Sequence, residues 1–156
     1  MTVGFTVDSV GIRFRMSDYY EVGREKIREF ARAVHDDHPA HFSEEVAERF
    51  GYPALIAPAT FASIIGIMAT RQLFEENGWA SDLRNILQAD QQFRFHQPIL
   101  AGDRLIGEAY VESVRLMAGN HVMVMKNQIF NDRDEMVQTN YTTLIRRDSV
   151  PVEGDV

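Results

Sequence analysis

The chain has 156 residues, 25% charged and 45% hydrophobic, with a net charge of −7, the composition of one soluble domain with its own core. It has no run of Lys or Arg and no cysteine, which leaves no clustered basic face for nucleic-acid phosphates and excludes disulfides, thiolate catalysis and Cys-ligated zinc. The first residues carry neither a charged n-region nor an apolar h-region, and the longest apolar stretch, residues 54–69, is too short for a bilayer; a cytoplasmic protein without membrane or nucleic-acid partners is expected.

In chain order, a strand is expected near residues 11–15. Residues 23–35 read as a helix, with Ile27, Phe30, Ala31 and Val34 at i, i+3, i+4 and i+7 on one apolar stripe. Pro39 biases His38 away from helical geometry, so this helix stops before it. Ser43 as N-cap, Glu44 and Glu45 in the first turn and Gly51 as a stop predict a short helix over 44–50. Pro58 fits the start of a third helix that runs to about Asn77, with Gly78 as terminator. Its residues Phe61, Ile64, Ile65, Ile67, Met68, Leu73 and Phe74 surround the axis, so something wraps it.

The wrapping reads as a sheet. Leu87, Ala89, Gln91, Phe93 and Phe95 alternate with Gln88, Asp90, Gln92, Arg94 and His96, a period of two but for Gln91. Turns at 101–103, 118–120 and 131–134 then separate strands over 104–114, 121–130 and 136–145. The pattern predicts an α+β domain over 1–147, a five-strand antiparallel sheet curled around one long helix, and a polar tail over 148–156.

Between the first two helices stands Asp36-Asp37-His38-Pro39-Ala40-His41. A carboxylate and an imidazole lie five positions apart, and the proline forces a loop. Such a pair can hold one water or hydroxyl between an acid and a base, as reversible addition of water to a double bond requires. Two other readings stay open. Asp36 and Asp37 could simply end a helix, with His41 in solvent. Alternatively His35, Asp36, His38 and His41 supply metal-ligand types, although the proline breaks i, i+4 pairing and no distant fourth ligand is evident. His96 and His121 read as lone strand histidines, structural or exposed rather than catalytic, and Gly102-Asp103 as a β-turn. Met123 and Met125 read as core filler or as the lining of an apolar cavity.

Four segments carry a family resemblance: residues 20–30, beginning Tyr20-Glu21-Val22-Gly23; 51–61, beginning Gly51-Tyr52-Pro53; 93–103, beginning Phe93-Arg94-Phe95-His96-Gln97-Pro98; and Tyr141-Thr142-Thr143-Leu144. In these the chain resembles the MaoC-type dehydratases and hydratases, and more closely the actinobacterial (3R)-hydroxyacyl-ACP dehydratase subunits of the HadA and HadC kind. The match runs in order along nearly the whole chain. It implies a single hot-dog fold that pairs with a second hot-dog subunit, as a homodimer or heterodimer. It also implies (R)-specific interconversion of 3R-hydroxyacyl thioesters with trans-2-enoyl thioesters and water in fatty-acid metabolism, on acyl-CoA or acyl-ACP, with no cofactor and no metal.

The family motif Gly-Asp-x-Asn-Pro-x-His-x-Asp maps its catalytic Asp to Asp36 and its catalytic His to His41, with Pro39 retained; His35, His38 and Ser43 stand at its Gly, Asn and final Asp. Backbone N–H groups at Ala59 or Thr60, at the start of the third helix, are expected to stabilise the thioester oxygen. The small residues Ala59, Ala62, Ser63, Gly66, Ala69 and Thr70 form one stripe of that helix. The stripe serves either close packing on the sheet or an acyl groove at Ala62 and Gly66. Two further functions remain: an accessory subunit that binds the acyl chain for a partner dehydratase, and a hot-dog thioesterase. The third helix carries no acid before Glu75 for the latter chemistry.

Overall fold

The structure, a computed structural model, describes residues 4–147; the tail expected over 148–156 lies outside them. Six strands form one antiparallel sheet: β1 (Arg13–Arg15), β2 (Tyr20–Glu21), β3 (Ile86–Phe95), β4 (Arg104–Met117), β5 (Asn120–Asn131) and β6 (Met136–Arg147). Their order is β1-β4-β5-β6-β3, and β2 also pairs with β4. Three α-helices accompany them: α1 (Arg24–Ala33), α2 (Glu44–Arg49) and α3 (Ser63–Glu76). Among the described residues no helix is long and apolar enough to cross a membrane.

The core lies between α3 and the inner face of the sheet. Ile65, Ala69, Leu73 and Phe74 of α3 are fully buried, as are Leu105, Ala109, Met123, Met125 and Ile129 of β4 and β5. Each large side chain among them contributes on the order of 1.5–3 kcal/mol by leaving water. The helix is not wrapped all round, however: Ile67 is 54% exposed. The stripe of small residues divides accordingly. Ala62 and Ala69 are in the core, while Ser63, Gly66 and Thr70 border a cavity.

Other expectations also need correction. The third helix begins at Ser63, not Pro58. Ala57 is tied into extended pairing by its N–H to Ile99 O, and residues 58–62 then turn through i→i+3 bonds, Phe61 N–H to Pro58 O and Ser63 N–H to Thr60 O, before α-helical bonding begins. The sheet has six strands because the two-residue β2 is too short to show a period in the sequence. The inward face of β3 changes along its length: Ala89 is a bulge, so Leu87 points outward and is 56% exposed, while Gln91, Phe93 and Phe95 stand opposite the inward Thr142, Asn140 and Gln138. Finally, the β4–β5 turn is the two-residue Ala118-Gly119, with φ of 50° and 76°, as a type I′ hairpin requires.

The end of α1 positions the loop that carries Asp36 and His41. The sequence predicts that this helix runs to residue 35 and stops because of Pro39. It ends at Ala33 through its own backbone: His35 has φ 57°, its N–H bonds Arg32 O, and the Asp36 N–H bonds Ala31 O at 2.9 Å. This is a Schellman turn with a histidine at the left-handed position that usually holds glycine. His35→Gly is expected to raise stability by about 0.5–1 kcal/mol, the relief of left-handed strain less glycine's extra unfolded-state freedom, and Tm by about 1–4 °C. Calorimetry that finds a lower Tm would assign the His35 ring a stabilising contact larger than that strain.

Candidate active site

The Schellman turn leaves Asp36 just past the end of α1, with its carboxylate facing the next loop. One oxygen, Oδ1, accepts the N–H of His38 at 3.2 Å, which fixes the carboxylate's tilt. His38 then caps a short 3-10 turn over Pro39–His41, its Nδ1 accepting the Ala40 N–H at 3.2 Å. Asparagine is among the best residues for that task because its side-chain oxygen accepts the same bond. The imidazole nitrogen of His38 performs it here, at the position where the family motif has Asn. Ser43, at the motif's last position, caps α2 by accepting the Val46 N–H. The short turn points His41 inward, where it is 8% exposed.

His41 is held at both ring nitrogens. Nδ1 lies 2.6 Å from Ile56 O, and Nε2 lies 3.1 Å from Asp36 Oδ2. A carbonyl oxygen only accepts, so Nδ1 carries a proton. Neutral His41 therefore presents a lone pair at Nε2, and one shared proton completes the contact with Asp36. The Ile56 carbonyl is itself fixed. Residues 55–57 pair with 99–101 through the Ile56–Leu100 bridge, Ala57 N–H to Ile99 O and Ala101 N–H to Leu55 O, while the Ile56 N–H bonds Ala40 O. The carboxylate and imidazole thus touch directly, whereas the spacing suggested a water between them.

Both face a cavity of about 420 Å³ that is also lined by His38, Ala59, Phe95, Gln97 and Gln138. Its lining contains no Lys or Arg among the described residues. Of the two expected oxyanion donors, Ala59 borders this cavity and Thr60 does not. The Ala59 N–H makes no backbone hydrogen bond among the described residues. It belongs to the turn ahead of α3 rather than to the helix's first residues. Sequence reasoning misses Phe95, Gln97 and Gln138 as site residues. The Phe93–Pro98 segment signals only the family match, and on β6 polar residues occupy both faces, which hides the inward one.

The four candidate metal ligands do not converge. His35 borders a different surface depression, and among the described residues no three His, Cys, Asp or Glu side chains are placed to hold a metal ion. A second cavity, about 140 Å³, lies between α3 and β5–β6; Gly66, Met125, Asn127 and Asn140 line it. Ala62 is fully buried and borders neither cavity, and Met123 is in the core. His96 meets the Thr139 hydroxyl, and His121 packs edge-on against Phe5, both outside the two cavities.

The sequence model described as "FAS1-like, dehydratase domain region" matches residues 8–140. A UPF0336 protein of Mycolicibacterium paratuberculosis is 43% identical over 142 residues, 91% of this chain and 89% of that one. Among solved structures, the C-terminally truncated HadBC complex, a 3R-hydroxyacyl-ACP dehydratase of Mycobacterium tuberculosis, matches with TM-score 0.82 and 44% identity, covering 90% of this chain and 99% of that chain. A MaoC-like dehydratase matches with TM-score 0.81 and 35% identity over 90% of this chain, which spans 43% of that longer protein. With its helix α3 held by a curled antiparallel sheet, the chain belongs to the FAS1-like dehydratase-region family, the hot-dog MaoC-like dehydratases and hydratases.

Proposed function

We propose that this chain catalyses the (R)-specific interconversion of 3-hydroxyacyl and trans-2-enoyl thioesters, on CoA or acyl-carrier protein, with Asp36 and His41 as the proton-transfer pair. The observation that carries the reading is the direct His41 Nε2–Asp36 Oδ2 contact at the wall of a cavity also lined by Ala59, whose N–H makes no backbone hydrogen bond among the described residues. Base, acid and oxyanion donor are the three groups that this elimination needs. The stereochemistry and the thioester come from the family likeness.

The proton count of the pair suits the reaction. In dehydration, neutral His41 takes the C2 proton at Nε2 while protonated Asp36 gives its proton to the departing hydroxyl, and water leaves. The pair then stands as imidazolium and carboxylate. One proton crossing the 3.1 Å contact restores the starting state, and hydration runs the same steps backward. The charge that grows on the thioester oxygen meets the Ala59 N–H. The Ile56 carbonyl holds Nδ1–H and stabilises the imidazolium that forms.

Pairing with a second hot-dog subunit, whether another copy or a related chain, is part of the proposal. Among the described residues β3 pairs only with β6, so its other edge carries unpaired backbone groups, and Phe95, 60% exposed on that strand, also lines the catalytic cavity. The HadBC structure it matches is a complex of such subunits. A chain that serves only as the accessory subunit of a partner would be inactive alone.

Asp36→Asn and His41→Ala are each expected to cut hydration of trans-2-enoyl-CoA by roughly a hundredfold or more. Near-wild-type rates in either folded variant would remove that residue from the mechanism. His38→Asn should keep most of the activity, because asparagine restores the family's cap, whereas His38→Ala should lose about 1 kcal/mol of stability and part of kcat. Equal behaviour of the two variants would rule out the capping role. Light scattering on the purified chain at micromolar concentration should give a dimer; a monomer would leave only pairing with a different subunit.

A further inference from the structure

The inner face of β6 carries an uninterrupted polar row, Gln138, Asn140 and Thr142. An inner face normally packs apolar side chains, and β4 does so with Leu105, Ala109 and Val111. Gln138 borders the catalytic cavity and Asn140 borders the second one. Gln138 Nε2 donates to Asn140 Oδ1 at 2.8 Å. Across the sheet Asn140 stands opposite Asn127, whose Oδ1 accepts the Thr70 hydroxyl at 3.1 Å. Asn140 is 1% exposed, and its Nδ2 is the one buried side-chain polar atom without a partner among the described residues.

A buried amide N–H without an acceptor is destabilising, and proteins leave few of them. The neighbouring residues do not close the gap. Gly66 contributes no side chain, Met125, Ile67 and Leu83 supply apolar wall, and the side-chain oxygens of Ser63, Gln91 and Thr142 that also line the cavity do not bond Nδ2. A cavity meant for a plain alkyl tail would gain from leucine or valine at position 140 instead. We propose that this cavity is a binding subsite for an oxygen-bearing acyl chain, whose carbonyl, ether or hydroxyl oxygen accepts the free N–H of Asn140. The subsite rests on the reading of the chain as an acyl-thioester enzyme and names the substrate class. Gln138 and Asn140 are two residues apart on one strand face, about 7 Å, which sets the oxygen roughly half a dozen carbons beyond the point where the chain passes Gln138.

Binding tests this apart from catalysis. Dodecanoyl-CoA and its mono-oxo analogues, with the keto group moved one carbon at a time, cannot undergo the hydration reaction and are titrated by calorimetry. One keto position is expected to bind roughly 5- to 10-fold tighter than the plain chain, the gain of a single hydrogen bond. Asn140→Leu should abolish that preference without weakening dodecanoyl-CoA binding. Parity at every keto position in the wild-type protein overturns the proposal, as it would if the N–H only meets water, and this result stands even if the variant does not fold. A preference that survives Asn140→Leu also overturns it. So does equal weakening of every acyl-CoA by that variant, which would place an amide carbonyl of the carrier arm at Asn140, and so does failure of all of them to bind. The matching enoyl-CoAs are then assayed for hydration: a position-specific preference without turnover keeps the subsite and sinks the hydratase reading.

Discussion

At Gly107 the sheet comes so near to α3 that a Cβ would stand 2.8 Å from Ile65 Cγ2 and 3.2 Å from the Ala69 Cβ. Only a residue without a side chain lets β4 and the helix meet at that distance, and the fully buried Ile65, Ala69, Ala109 and Leu105 pack around the point. Because the backbones touch here, α3 leans toward β4 and away from β6. The helix closes the core on the β4 side and leaves room on the β6–β3 side, which is where both cavities are found. Close packing and open space are two consequences of one contact.

The same asymmetry explains which parts could be read from residues alone. Long strands with turn residues between them reveal their ends to within a few positions, because alternation is strong where one face is buried. β3 resists because it is an edge strand whose bulge at Ala89 reverses the alternation midway, something a period of two conceals. The stripe of small residues on α3 is visible, but not that Ala69 faces Gly107 while Gly66 faces Asn127; that division depends on the helix's lean. Gly107 itself has a readable signal, a lone glycine inside a strand, which often marks close backbone approach.

At the site, the legible part is local and the illegible part is long-range. Asp36, Pro39 and His41 lie within one loop, so their order on the chain nearly dictates their proximity. The state of His41 depends instead on Ile56, fifteen residues away, and through it on the pairing with Leu100. That strand-like clamp turns a flexible imidazole into one with a defined tautomer, its Nδ1–H spent on a carbonyl and its Nε2 turned to the carboxylate. His38 shows the opposite case. A departure from the family motif looks like a threat to the loop, yet what matters there is an acceptor at the right distance from the Ala40 N–H, and an imidazole nitrogen provides it.

Stability and function are therefore divided across the sheet rather than spread through it. The β4 half buries apolar surface and holds α3 in place. The β6 half carries amides and hydroxyls, one of them unpaired, along the line that joins the acid–base pair to the smaller cavity. Natural cores rarely tolerate such a row, because each buried amide must find partners or cost stability. Here the closely packed β4 side offsets that cost, and the two halves meet at Asn127, which packs against Gly66, bonds Thr70 and faces Asn140. A site of this kind is fully bonded at the proposed proton-transfer pair, His41 and Asp36, and uncommitted where the remainder of the proposed substrate would lie.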